Sequence, residues 1–282
     1  MGDERSERDG GGAAARPPVR FGVAGWTYED WKGVVYPRNC KDTLRAVAER
    51  VALVEINSTF YAVPSAKNCA SWVERTADLG TLFTAKLPRE FTHERRWDGA
   101  LVAATVAGFA PLLASGRCRG LLAQFDYTLE HGPKALELLR ALAGEFLPHA
   151  PLFVEVRHRS WNAFAALDEL AALGVGVLDL DYPGAVGGYA RDHSGVLGGD
   201  GIAYFRLHGR NQAWFRKGAG RDEVYDHEYS PAETAQLERR IERIAAAARE
   251  TLVVANNHFH GKAMKVIEDL LAWYRRSQGE LG

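Results

Sequence analysis

The strongest constraint on this chain is an alternation: eight short apolar runs rich in Val, Leu and Phe, separated by segments of helical pattern. The runs are 20–25 (RFGVAG), 53–57 (LVEIN), 82–86 (LFTAK), 120–125 (GLLAQF), 152–157 (LFVEVR), 175–180 (VGVLDL), 202–209 (IAYFRLHG) and 251–257 (TLVVANN). Helical patterns fill 42–50, 66–76, 98–114, 133–146, 163–173, 231–249 and 262–275; only 181–201 lacks one. Asp42, Ser65 and the Ser230-Pro231 pair with Glu233 supply start signals for three of these helices.

Strand–helix alternation with short connections predicts a parallel sheet covered by helices. Eight repeats favour a closed (β/α)8 TIM-type barrel over an open doubly wound sheet. A Rossmann arrangement is disfavoured, because the first strand runs into AGWTYEDW and no GxGxxG follows it. The chain has 282 residues and no linker-like shift in composition after residue 18. Residues 19–276 therefore read as one barrel domain, with 1–18 a disordered tail and 277–282 a C-terminal tail.

Charge removes several function classes. Formal net charge is −1, so the basic excess that drives non-specific nucleic-acid or anionic-membrane binding is missing. Cys40, Cys69 and Cys118 are widely spaced and form no CxxC pair, which suits a reducing cytosol and gives no structural zinc motif. The uncharged stretch 100–116 is too short to span a bilayer and contains Pro111. The first 18 residues carry acids and lack the apolar core of a signal peptide. A cytoplasmic protein with no membrane partner is expected.

In a barrel, chemistry belongs at the C-terminal strand ends, and the polar residues gather there. Glu55/Asn57, Glu155/Arg157, Asp179/Asp181 and Arg206/His208 each stand two apart, with Ile56, Val156, Leu180 and Leu207 between them. Strand side chains alternate faces, so these four pairs are expected to point into the barrel mouth. Lys86 ends the third strand, and Asn256 and Asn257 end the eighth.

Residue types suggest roles. Arg157 and Arg206 match carboxylate or phosphate oxygens, and Lys86 would stabilise charge. His208 and His93 are acid–base groups near neutral pH, with Glu55, Glu155 and Asp179 as bases or orienters. The mixture points to a small anionic ligand, phosphorylated or carboxylated. Trp26, Tyr28, Trp31, Tyr36, Phe60 and Tyr61 form either a pocket wall or core beneath the loops. His258 and His260 stand two apart in a loop pattern, so a metal is left open. No GxSxG elbow surrounds Ser58, and the cysteines read as packing residues.

VEINSTFY (54–61), Lys86 with Thr92-His93, VEVRHRSW (154–161), YFRLHGRN (204–211) and NNHFHGKA (256–263) resemble the YecE-like family, also catalogued as domain of unknown function seventy-two. The likeness runs from Phe21 to about Tyr274. It implies a TIM-type barrel and carries no established reaction. It marks Glu55, Asn57, Thr59, Tyr61, Lys86, His93, Glu155, Arg157, Trp161, Asp179, Arg206, His208, Asn256 and Asn257. In one place the chain departs from the family: Gln124 is followed by Phe125-Asp126-Tyr127 instead of a Gln-Leu-Pro-Pro turn.

Three functions fit these residues. The first is an enzyme acting on a small anionic metabolite, with Glu55, Lys86, Glu155, His208 and Asp179 catalytic and Asn57, Tyr61, His93, Arg157, Arg206, Asn256 and Asn257 binding. The others are a non-catalytic ligand binder or scaffold and a metal-assisted nucleic-acid phosphodiesterase. The loop 209–229, with Trp214, Arg216 and Tyr225, is placed to act as a lid.

Overall fold

A computed structural model describes residues 16–183 and 200–279. The expected 1–18 tail falls almost wholly outside these residues, as does most of the helix-poor 181–201 segment. Nine parallel strands form the sheet: β1 (Val19–Ala24), β2 (Leu53–Ile56), β3 (Leu82–Lys86), β4 (Cys118–Gln124), β5 (Leu152–Glu155), β6 (Gly176–Val177), β7 (Asp179–Asp181), β8 (Ile202–Leu207) and β9 (Glu250–Ala255). Their order is β6-β5-β4-β3-β2-β1-β9-β8-β7.

The sheet closes through its sixth position. The expected single strand is split at Leu178: β6 pairs with β5 through Phe153 and Gly176, and β7 pairs with β8 through Leu180 and Arg206. The Leu178 amide still donates to the Val154 carbonyl at 3.1 Å. One run of chain thus joins both ends of the sheet, giving the eight-position barrel that the alternation predicts.

Helices α1 (Thr43–Ala48), α2 (Ala66–Arg75), α3 (Arg89–Thr92), α4 (Gly99–Ala114), α5 (Pro133–Phe146), α6 (Phe164–Ala172), α7 (Arg221–Val224), α8 (Pro231–Ala247) and α9 (Lys262–Ser277) follow the strands. The expected caps form: Asp42 accepts from the Arg45 amide and Ser65 from the Asn68 amide. Ser230 and Glu233 make a reciprocal capping box at α8, satisfying amides that the helix itself leaves unpaired. Helix α9 extends to Ser277, one residue into the stretch read as a tail. No helix among the described residues is long and apolar enough to cross a membrane.

Alternation along the strands builds two apolar layers. Val54, Ile56, Phe83, Ala85, Val154 and Phe205 face the helices and join one core. Leu53, Leu122, Phe153, Leu178, Leu180, Tyr204, Leu252 and Val254 fill the bore. The bore is therefore a packed floor, and the polar residues sit on top of it.

Candidate functional site

Above the apolar floor, strand parity brings β2, β4, β5 and β8 together around one guanidinium. Arg206 is fully buried. Its Nη2 donates to Glu55 Oε1 at 2.7 Å, and its Nη1 donates to Gln124 Oε1 at 2.9 Å and to Glu155 Oε2. The Tyr204 hydroxyl donates to Glu55 Oε2 at 2.5 Å and pairs with Thr84 Oγ1 at 2.8 Å. Arg157 Nε donates to Glu155 Oε1 at 2.8 Å. All four carboxylate oxygens are thus taken. Burial pushes the Glu155 carboxyl up, but Arg206 and Arg157 outweigh it and hold it well below the usual carboxylate range.

His208 lies in the same layer, fully buried, with Nε2 3.3 Å from Glu155 Oε1. Its Nδ1 is 3.2 Å from Asn256 Nδ2. With the Asn256 amide donating to Nδ1, Nε2 is the nitrogen able to donate toward Glu155, and Arg206 Nη1 lies 3.4 Å from it. Burial lowers the His208 pKa to about 4. At neutral pH it is an uncharged donor locked between two partners, and neither nitrogen faces open space.

Lys86 differs from every other ion here. It ends β3, where the Thr59 hydroxyl donates to its carbonyl at 2.6 Å and fixes the strand end. Its Nζ lies 5.9 Å from the Phe60 ring centre, and no described carboxylate binds it. Burial, assisted by the neighbouring Arg206, pushes its pKa down to about 7. It borders a cleft of about 140 Å³ that is also lined by Asn57, Phe60, Tyr61, His93, Gln124, Tyr225, Asn256 and His258. Asn57 Oδ1 is buried there without a hydrogen-bond partner. The His93 pKa is lowered by burial, and its Nδ1 is 3.0 Å from Thr92 Oγ1.

The loop after β8 covers the mouth. Gly209 takes a left-handed φ of 83°, and a Cβ there would meet His227 Cβ at 2.7 Å. Trp214 packs against Tyr182 and Tyr225 with ring centres 4.7 and 5.1 Å apart, and Arg157 sits 5.5 Å over it. Tyr225 then lies 4.9 Å from the His258 ring, which stacks on Tyr28 at 4.4 Å.

Of the five residues expected to be catalytic, only Lys86 lines the cleft. Asn57, Tyr61, His93 and Asn256 from the expected binding set line it too, with Tyr61 on the exposed rim. Three placements need correction. Asp179 and Asp181 do not point into the mouth: they alternate with Leu178 and Leu180, which occupy the bore. Asp181 instead accepts from Arg210 at 2.9 Å, from Arg240 at 3.2 Å and from the Tyr229 hydroxyl at 2.8 Å, on the helix side. Asn257 is likewise on the far face from Asn256 and donates to the His227 carbonyl at 2.8 Å. Arg157 is paired with Glu155, and Arg206 with Glu155 and Glu55, while Arg206 Nε is buried without a hydrogen-bond partner.

Trp161 is a buried packing residue whose indole donates to the Leu129 carbonyl at 2.8 Å. Among the described residues, no group of three His, Cys, Asp or Glu could hold a metal. The sequence reading missed Tyr204 and Thr84. Tyr204 had a legible signal, standing two before Arg206 on the same strand face. A larger groove of about 320 Å³ runs outside the barrel along Ile241, Ala245, Trp273 and Tyr274, away from these groups.

A family model described as "Protein of unknown function DUF72" matches residues 20–280. The UPF0759 protein YunF of Bacillus subtilis is 24% identical over 267 residues, 87% of this chain and 90% of its own length. A solved DUF72 family protein from Thermotoga maritima is 29% identical with a TM-score of 0.81, covering 92% of this chain and 99% of that one. A second, from Enterococcus faecalis, is 20% identical with a TM-score of 0.77, covering 90% and 94%, a likeness of fold alone.

Proposed function

The chain belongs to the DUF72 family, and because that membership fixes a fold and not a reaction, we propose from the site itself an enzyme that uses Lys86 as its acid–base group on a small polar metabolite. The observation that carries this reading is the position of Lys86: an amine on the cleft wall, without a direct ion pair among the described residues, held near a pKa of about 7 by burial against the opposing pull of Glu55 and Glu155. A group that titrates near working pH can both take and return a proton. A lysine kept only for structure would be expected to have a carboxylate partner.

Size and lining narrow the substrate. An apolar cavity of about 150 Å³ accommodates a molecule the size of benzene, so a cleft of about 140 Å³ suits a compact metabolite. Asn57, Gln124 and Asn256 offer amide contacts, and Phe60, Tyr61 and Tyr225 offer ring faces. With Arg157 and Arg206 neutralised, a multiply charged phosphorylated compound has little to bind. One negative charge, at most, would sit against protonated Lys86.

A thermal-shift screen of small polar metabolites would find the ligand, and turnover of that ligand tests the role. Lys86→Met should abolish turnover while the protein stays folded, and the wild-type rate should change through a midpoint near the Lys86 pKa. Unchanged turnover in a folded Lys86→Met variant sinks the reading. A ligand-binding role without turnover draws support from Glu55 and Glu155, both paired with Arg206, and from His208, paired with Glu155, none of which lines the cleft. It predicts that Lys86→Met alters affinity while no conversion of any ligand is seen. The metal-assisted phosphodiesterase has no ligand cluster among the described residues to build on.

A further inference from the structure

Resting on that reading, we propose that Lys86 is a covalent nucleophile whose amine condenses with the carbonyl carbon of a small aldehyde or ketone to form a protonated imine. Three observations point this way. The first is the accounting of acceptors around the amine. Glu55 gives its oxygens to Arg206 and Tyr204, and Glu155 gives its own to Arg206 and Arg157. Lys86 has no hydrogen-bond or ion-pair partner among the described residues, and its Nζ contact is the Phe60 ring. An amine buried without a counter-ion is favoured in its neutral, attacking form.

The second observation is the cleft wall. Asn57 Oδ1 is buried and unpartnered beside the amine, ready to accept from a hydroxyl next to the reacting carbon. Gln124 has given its oxygen to Arg206, so its amide NH2 is the end left to donate to a ligand oxygen. The pair fits a carbonyl compound carrying a neighbouring hydroxyl or a second carbonyl oxygen.

The third is the absence of a separate charge sink among the cleft-lining side chains. Apart from Lys86, they are amides, rings and histidines. Carbanion chemistry beside a carbonyl needs somewhere for the electron pair to go. A protonated imine on Lys86 accepts that pair from the adjacent carbon, so one residue supplies both attachment and sink.

The step balances without an oxidant or reductant. The neutral amine forms a C–N bond as the carbonyl π pair moves to oxygen, and an amine proton moves to that oxygen to give the carbinolamine. The nitrogen lone pair then expels the hydroxyl, the C–O bond breaks, and water leaves with a proton drawn from solvent, which the neutral His93 imidazole in the same cleft relays. Amine, carbonyl and one proton become imine cation and water, and added water reverses the step.

Borohydride trapping tests this directly. Full-length protein is incubated at neutral pH with glycolaldehyde, dihydroxyacetone or pyruvate, reduced, and mapped by peptide mass. At least one probe should give a single reduced adduct on Lys86, forming about tenfold or more faster than on any other lysine. Lys86→Met, checked as folded by circular dichroism, should give none. Parallel acylation with acetic anhydride across pH reports whether Lys86 is neutral and reachable. Acylation with a midpoint near neutrality but no trapped adduct overturns the carbonyl proposal and leaves the acid–base reading standing. Adducts spread evenly over surface lysines overturn the carbonyl proposal as well. A Lys86 that neither acylates nor traps overturns both readings.

Discussion

At the scale of single residues, burial lowers the pKa of both Lys86 and His208, and each leaves a signature in stability. Lys86 falls from an ordinary 10.5 to about 7 in the fold. Between those values the unfolded chain binds the extra proton, so wild-type stability rises with pH across that window. At about 1.36 kcal/mol per unit, the lysine costs on the order of 4 to 5 kcal/mol below pH ~7 and nothing above ~10.5. Lys86→Met should therefore raise the urea midpoint strongly at about pH 6, with the gain fading toward about pH 10. A variant less stable than wild type at the lower pH would contradict the burial argument. His208, lowered from 6.5 to about 4, works in the acid window. The unfolded chain binds more protons between those values, so stability falls as pH drops from about 6.5 to 4, by about 3 kcal/mol for this group. In His208→Gln, that part of the acid loss should disappear from denaturation curves measured across the same range.

At the scale of elements, Asp181 at the end of β7 ties three pieces together: Arg210 and Tyr229 at the two ends of the mouth loop, and Arg240 on α8. The carboxylate is almost fully buried. Asp181→Ala leaves cations facing an emptied site and should cost about 3 to 5 kcal/mol in chemical denaturation. It should also loosen the loop that carries Trp214, shifting the emission of that indole toward the red. This element shows where sequence reasoning stopped. Helix starts at Asp42, Ser65 and Ser230 are local events and were legible from neighbours three residues away. The inward parity of Glu55 and Arg206 was legible because their strands carry apolar residues on the helix side. Asp179 and Asp181 reverse that pattern, and the arginines that let Asp181 face outward lie about 30 and 60 residues downstream. The same limit applies to Arg206: its charge was visible, but its full neutralisation depends on distances among four strands. The split at Leu178 is likewise set by which neighbour each half of the strand can reach.

At the scale of the whole molecule, the described barrel pairs its first strand with its last. Val19 pairs with Thr251 and Val23 with Ala255. Strands from first to last share one bore and one outer core, so calorimetry should show a single transition whose van't Hoff and calorimetric enthalpies agree. Two resolved transitions would argue instead for separable units within residues 19–276. The same pairing has a consequence in time. A chain emerging from the ribosome can lay down β1 to β8, but β1 keeps a bare edge until the last strand is made. Closure waits for β9, and contacts of such long sequence separation form slowly. The interval between emergence and closure is when the nascent barrel is most open to pairing with a stranger.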